Sequence, residues 1–351
     1  MAVPRSHIEA VLSVIPLKVT EAGHVRRVLV DEALKQGRFG GCYNVVLYYR
    51  KLNEDDSGWF LAGWIVESLG KSLSEKPILA GRIQRKENGD AEFQVVSNDA
   101  GIRLIEARIP MTLSEFLELN AKDDLKPELV FWKDIEEQSP EYSPLFYIQV
   151  TKFQCGGYAI GISCSILLAE TLVVDNFLGE WTDMHNKMIR LNEMTETPIF
   201  YPPRLVGYKS PPTELITRTP SRNGAPSMVF KITAEDASFN KELAMLSVEL
   251  AEEKLGRKMG SHFSLLVIQS SEVIKVEDCS NSKYSEQLSG LKSKITPTTW
   301  DDFGVYEVAF HEGNKPVHVS RWIGSVSDGN VMAILSPKEG VSGLIIVTFP
   351  N

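Results

Sequence analysis

Proline is concentrated in one part of this chain and limits what that part can form. Seven of the eighteen prolines lie between Met194 and Pro226. Proline lacks a backbone N–H and cannot continue a helix, so this stretch is predicted to be a crossover or linker. The sequence is therefore divided into a first domain over residues 1–193, a linker over 194–228 and a second domain over 229–351.

The first domain alternates segments of strand and helix character. Tyr43–Arg50 is aromatic and β-branched, whereas Trp59–Leu73 carries apolar residues at helical spacing. Leu145–Phe153 and Tyr158–Ser163 are predicted to be two buried strands. The residues Cys155-Gly156-Gly157 predict a tight turn between them, because glycine adopts positive φ without strain.

Thr171–Leu191 is predicted to be an amphipathic helix, because its apolar residues step by three and four along one face. His185 lies in this helix between Asp183 and Lys187. Those charged neighbours favour a side chain that faces solvent or the linker.

The second domain begins with a capping-box-like start at Thr233, which predicts a helix running towards Gly260. A second helix is predicted over about Ser264–Ile274. Four strand-like segments follow it: Tyr306–Phe310, Val317–Trp322, Val331–Leu335 and Leu344–Thr348. The pattern as a whole predicts a two-domain mixed α/β protein.

Composition excludes some classes of function. A net charge of -9 argues against nucleic acid as a partner, since binding phosphates needs a basic surface. We find neither a secretory signal nor an apolar stretch long enough to cross a bilayer, so we expect a cytoplasmic location. A monomer is also expected. Its four cysteines have no paired spacing, which favours a reducing compartment: Cys42, Cys155, Cys164 and Cys279.

Several segments occur in an order that one family shares: Lys71–Ser74, Leu79–Arg82, Asn98–Ile102, Gln149–Gly157, Gly161–Ser165, Thr298–Trp300, Tyr306–Val308 and Lys315–Val317. Together they resemble the plant BAHD acyltransferases. This resemblance implies a chloramphenicol-acetyltransferase-like fold of mixed sheets with flanking helices. It also implies transfer of an acyl group from acyl-CoA to a hydroxyl or amine, with acyl-CoA as co-substrate and no bound cofactor or metal.

The family's working motif, HxxxD, directly follows the serine that is Ser165 here. The family's histidine is a general base, and its aspartate holds local geometry. In this sequence the histidine position is occupied by Ile166, the aspartate position by Glu170 and the usual following glycine by Thr171. Isoleucine has no group that accepts a proton, so the family's histidine mechanism cannot operate at this position.

The family's second motif, DFGWG, is also degenerate. Asp302-Phe303-Gly304 looks like a copy, but the family order around Trp300 aligns the motif with Ala309–Gly313, with Asn314 as an extra residue. In the family this segment is largely structural. Its loss indicates relaxed constraint near the site.

Two residues could replace the missing base. Glu170 lies one helical turn after Ile166, and a buried glutamate can act as a base, although substitution for the family's aspartate is the favoured reading. His311 falls within the degenerate second motif, which in the family lies close to the channel. Ser165 and Cys164 are interpreted as small buried residues at a strand end rather than as nucleophiles.

The basic group Lys254, Arg257 and Lys258 could meet a CoA phosphate, but charge at the end of a helix is the favoured interpretation. The chain is also shorter than the family norm. The deficit lies near Leu243–Val248, where the family has parts that line the CoA channel. We therefore expect a shortened second domain with uncovered strand edges or an incomplete core. Poor folding of a truncated product is one hypothesis that follows.

Within the family, the resemblance is strongest to the eceriferum group, through Asn98–Glu106, Ser143–Gln149 and Gly313–Pro316. That group implies an accessory role in very-long-chain fatty acid and wax elongation, with a condensing enzyme as partner and peripheral attachment to the endoplasmic reticulum through it. The first hypothesis is thus a non-catalytic accessory protein, which binds that partner or a small-molecule or acyl-CoA ligand. The alternative is an acyltransferase or repurposed enzyme that uses another base.

Overall fold

The computed structural model describes residues 5–31, 39–51, 59–86, 93–119, 125–191, 224–233, 241–268, 272–280, 292–303, 305–311, 313–324, 326, 328–335 and 343–350. Within these ranges two sheets are built from fifteen strands: β1 (His7–Val14), β2 (Val25–Val30), β3 (Cys42–Tyr49), β4 (Arg82–Arg85), β5 (Phe93–Val96), β6 (Ile102–Arg108), β7 (Phe146–Lys152), β8 (Tyr158–Ser165), β9 (Ser227–Ile232), β10 (His262–Ile268), β11 (Val273–Ser280), β12 (Ile295–Thr298), β13 (His318–Gly324), β14 (Gly329–Leu335) and β15 (Gly343–Thr348).

The same ranges contain five α-helices: α1 (Trp59–Glu75), α2 (Leu113–Glu118), α3 (Glu170–Val173), α4 (Phe177–Arg190) and α5 (Lys241–Leu255). The mixed α/β class predicted from the sequence is confirmed. None of the helices in the described ranges has the length and apolar character needed to cross a membrane.

Each half of the chain contributes strands to both sheets. The first sheet has the order β1-β6-β7-β8-β3-β13, and the second has the order β12-β9-β15-β14-β10-β11-β2-β5-β4. Strands β2, β4 and β5 of the first half thus lie in the second sheet, while β13 crosses back into the first. The domain boundaries at residues 193 and 228 stay predictions, and most of the linker, residues 194–223, lies outside the described residues.

The predicted hairpin between β7 and β8 is confirmed. The two strands pair antiparallel from Phe146 opposite Cys164 to Lys152 opposite Tyr158. Gly156 in the connecting turn has a φ of 82°, a value that non-glycine residues rarely adopt. This hairpin positions the candidate site, because β8 ends at Ser165, directly before Ile166.

The prediction of one continuous helix over Thr171–Leu191 is wrong. The chain forms the short helix α3, breaks at Asn176, where φ is 56°, and resumes as α4. The expectation for His185 is also wrong, because its side chain is completely buried. It lies four residues after Trp181 and three before Met188, on the same buried stripe of the helix.

The helix predicted over Ser264–Ile274 is wrong as well. The chain forms strands β10 and β11 there, which pair antiparallel, and β10 also pairs parallel with β14. A strand buried on both faces reads as a continuous apolar run, which period alone cannot distinguish from a buried helix. Tyr306–Phe310, predicted as a strand, contains a 3₁₀ turn over Val305–Glu307 instead.

The largest core lies between the two sheets and includes Val45 and Ile162 from the first and Leu266 and Ile346 from the second. Helix α5 packs on the other side of the second sheet. It continues without a break through the position of the expected deficit, and its residues Leu243, Leu246 and Val248 are buried. Within the described residues this helix packs on the sheet, so an incomplete core is not observed at this point; uncovered strand edges stay a prediction.

Candidate active site

The position of the family's base lies where β8 turns into helix. Ser165 ends the strand, and a 3₁₀ turn follows over Ile166–Leu168. The Ser165 hydroxyl accepts a hydrogen bond from the Leu167 N–H at 3.3 Å and so caps the turn. The N–H of Ile166 donates to the Gly41 carbonyl at 3.4 Å, which connects this turn to the segment before β3.

Ile166 is a core residue. Its exposed fraction is 4%, and it belongs to the cluster between the sheets. Gly41 has a φ of 103°, and a Cβ atom added there would lie 3.3 Å from both Cδ1 and Cγ2 of Ile166. The isoleucine therefore packs against the bare backbone of Gly41 and offers only apolar surface to its surroundings.

Glu170 is held by a cation that comes from a distant strand. Its Oε1 forms an ion pair with Nη1 of Arg26 on β2, and both residues are buried, with exposed fractions of 7% and 4%. The same Arg26 nitrogen donates to the Leu167 carbonyl at 3.1 Å. Arg26 thus ties the turn after β8 to the second sheet, in a position that fits a structural carboxylate.

Burial and the arginine act on Glu170 in opposite directions. Burial raises the pKa of its carboxyl, whereas the adjacent Arg26 lowers it, and the net effect is a raised pKa. Its second oxygen, Oε2, is buried and has no hydrogen-bond partner among the residues described. Half of this carboxylate is therefore engaged, and the other half faces the protein interior.

Sequence reasoning missed Arg26. It is the buried one of two adjacent arginines on β2, and no local signal indicates that β2 would lie beside the turn after β8. The pairing of β2 with β11 and β5 brings it there.

Cys164 and Ser165 are both completely buried, as the sequence predicted for a strand end. Burial raises the pKa of the Cys164 thiol well above its usual value, and the charge on Glu170 raises it further. A thiolate nucleophile is strongly disfavoured at this position. All four cysteines of the chain are free thiols.

The second motif packs on α4 rather than on the turn after β8. Phe310 is completely buried, with its ring centroid 4.6 Å from that of Trp181 and 5.4 Å from that of His185. The Asn186 side chain donates to the Ala309 carbonyl at 2.7 Å. This segment therefore serves packing, in agreement with the structural role that the resemblance implied.

His311 lies in the same region, with its ring 6.3 Å from that of Trp64 on α1. It is close enough to lower the pKa of His185, for which burial is the largest cause of a pKa of about 3. His185 is therefore neutral at ordinary pH, with Nδ1 2.9 Å from the Ser68 hydroxyl. Among the described contacts, none joins His311 to Ile166 or Glu170.

The remaining candidates lie elsewhere. Asp302 of the apparent second motif accepts hydrogen bonds from the hydroxyl of Thr298 and the N–H of Thr299, so it stabilises a turn. Lys258 of the basic group pairs with Glu252 at 2.6 Å near the end of α5. The described part of the chain contains no group of three or more histidine, cysteine or acidic side chains that could hold a metal ion.

Comparison with known proteins identifies the family of this chain. The model of the transferase family matches residues 41–254. Stemmadenine O-acetyltransferase of Catharanthus roseus is 28% identical over 239 residues, which are 66% of this chain and 52% of that protein. Protein ECERIFERUM 26-like of Arabidopsis thaliana is 30% identical over 105 residues, which are 30% of this chain and 24% of that protein.

A solved structure, vinorine synthase, aligns with 98% of this chain and 94% of its own at 14% identity, with a TM-score of 0.43. The chain spans at most about half the length of the curated relatives named above. The family match covers more than half of the 351 residues and includes Ile166 and Glu170. This chain therefore belongs to the transferase family, that of the BAHD acyltransferases.

Proposed function

We propose that this chain is a BAHD-family protein that acts by binding and does not use the family's histidine-based acyl transfer. The observation that carries the proposal is Ile166, a buried isoleucine at the position of the family's general base. Acyl transfer from a thioester requires that the attacking hydroxyl or amine lose a proton. The Ile166 side chain cannot accept it.

The surroundings of the two substitute bases support this proposal. A general base must reach the proton that it removes, either directly or through one water. Glu170 instead pairs with Arg26 inside the core, and His311 packs against Trp64 beside the buried His185. Both arrangements are consistent with structural roles.

The proposed binding role is that of an accessory in very-long-chain fatty acid elongation. It follows from the eceriferum-like segments and is supported by the similarity to the Arabidopsis ECERIFERUM 26-like protein. In this role the chain associates with a condensing enzyme at the endoplasmic reticulum, and the partner performs the covalent chemistry.

Co-expression in yeast with a very-long-chain condensing enzyme tests this role. The chain is expected to co-purify with the enzyme and to lengthen the fatty acids that the cells accumulate. A Glu170→Gln variant removes any carboxylate base but also takes the ionic partner from Arg26. In preparations that urea unfolding shows to be folded, it is expected to do the same. Failure to co-purify, together with unchanged fatty acid lengths, would contradict the accessory role.

One observation favours a second candidate, an acyl-CoA-dependent acyltransferase that uses Glu170 as its base. The Oε2 atom of Glu170 has no partner among the described residues, and burial raises the pKa of the carboxyl towards values suited to proton transfer. This candidate predicts release of CoA from acyl-CoA in the presence of an acceptor, abolished by Glu170→Gln.

A further inference from the structure

Arg321 is a charged residue on the interior face of the first sheet. It lies on β13 opposite Val45 of β3, and Val45 lies opposite Ile162 of β8. Residues paired across strands project from the same face of a sheet. Since Val45 and Ile162 belong to the core between the two sheets, Arg321 projects towards that interface.

Only part of the Arg321 guanidinium is engaged. Its Nη1 donates a hydrogen bond to the Trp300 carbonyl. Its Nε and Nη2 are buried, and neither has a hydrogen-bond partner among the described residues. These two nitrogens form one edge of the planar guanidinium, with parallel N–H bonds that match the two oxygens of a carboxylate. A buried edge of this kind is unusual, because buried polar groups are nearly always paired.

Aromatic residues lie near this guanidinium. Tyr43 is buried, and its ring centroid is 5.5 Å from that of Trp300. Burial raises the pKa of Tyr43 to about 12 while the charge on Arg321 acts in the opposite direction, so the hydroxyl is a neutral donor within reach of that charge. Asp301, the residue after Trp300, accepts a hydrogen bond from the Tyr306 hydroxyl at 3.0 Å.

We propose that Arg321 anchors a carboxylate-binding subsite at the interface of the two sheets. The ligand class is an organic carboxylate with an apolar body, aromatic or aliphatic. Its two oxygens accept from Nε and Nη2 of Arg321, and its body packs against Trp300 and Tyr43. One guanidinium among apolar neighbours suits a monoanion better than a phosphate dianion, which needs several cationic donors. The subsite does not depend on the accessory role.

Binding of matched acids and amides tests the subsite. Calorimetric titration of the purified full chain with cinnamate and octanoate, each beside its amide, is expected to show tighter binding of the acid. Arg321→Gln is expected to lower the affinity for each acid by about 10- to 100-fold, as loss of a charge-assisted pair predicts. Its affinity for each amide is expected to be unchanged. Arg321→Lys keeps the positive charge but not the two parallel N–H donors. Its affinity for each acid is expected to lie between that of the unaltered chain and that of Arg321→Gln.

Arg27→Gln is the matched control, because Arg27 is an exposed arginine on β2. It is expected to bind each acid as the unaltered chain does. Equal affinity for acid and amide, no binding of either acid, or an equal loss in Arg27→Gln would overturn the subsite. Inorganic phosphate that binds more tightly than both acids would overturn its assignment to carboxylates. Co-purification with a condensing enzyme is unaffected by these results, so failure of one proposal is distinguishable from failure of the other.

Discussion

Replacing Arg26 by methionine tests whether Glu170 is a structural residue. The substitution leaves a carboxylate buried without its cation, and removing one partner of a buried ion pair costs about 3–5 kcal/mol. Both residues meet the condition for that range, since their exposed fractions are 4% and 7%. The hydrogen bond from Arg26 to the Leu167 carbonyl is lost as well, so we expect the upper part of the range.

The cost depends on pH in a defined direction. Arg26 lowers the pKa of Glu170, so its removal raises the folded-state pKa further. A group with a raised folded-state pKa contributes stability at low pH and loses it as the pH rises through that pKa. Arg26→Met is therefore expected to cost less at pH 5 than at pH 7.5, because Glu170 takes up a proton in the variant.

Urea unfolding followed by tryptophan fluorescence at both pH values measures these costs. The double variant Arg26→Met/Glu170→Leu is expected to recover most of the loss, because it removes the unpaired carboxylate. Arg27, the exposed residue next to Arg26, provides the control. Arg27→Met is expected to change the free energy of unfolding by less than about 0.5 kcal/mol. A cost below about 1 kcal/mol for Arg26→Met, as for a surface pair, would refute the buried pair. So would a double variant no more stable than the single one.

Three further predictions concern stability. Ile166→His places an imidazole in the core beside Gly41 and is expected to lower the free energy of unfolding by about 1–3 kcal/mol. An unchanged midpoint of urea unfolding would contradict the packing of Ile166. Phe310→Ala is expected to cost about 3–5 kcal/mol in the same assay, and a cost typical of surface residues would show that the segment is not packed on α4. Burial raises the pKa of Glu106 from 4.5 to about 7, so stability is expected to fall by about 3 kcal/mol between those values as the pH rises. Glu106→Gln is expected to flatten that profile, and an unchanged profile would count against the buried acid.

Much of the fold followed from local patterns. Local sequence was sufficient for three elements: the strand from Tyr43, the helix from Trp59 and the hairpin that turns at Gly156. Residue type, the spacing of apolar residues or the turn residues predicted each of them. The helix predicted from Ser264 failed because a central strand and a buried helix present the same apolar run. The strand predicted from Tyr306 failed because its apolar residue Phe310 is buried by packing on α4 and not by strand pairing.

The candidate site was predictable only in part. Resemblance in motif order identified Ile166 and Glu170, and the structure describes how each is packed. It could not identify Arg26, because its contact with Glu170 joins residues 144 positions apart through the second sheet. The burial of His185 was hidden by its charged neighbours in sequence, although its spacing from Trp181 placed it on the buried stripe. Arg321 has no signal in the sequence, since its unpaired edge arises from the register of β13 on β3.

Acyl transfer by the purified chain most directly tests the proposal that this protein acts by binding and does not transfer acyl groups. Release of CoA is measured with a panel of acyl-CoA donors and with hydroxyl and amine acceptors, for the unaltered chain and for Glu170→Gln. Neither protein is expected to release CoA above the rate measured without protein. Release of CoA by the unaltered chain above that rate would contradict the proposal, and its loss in a folded Glu170→Gln variant would identify Glu170 as the base.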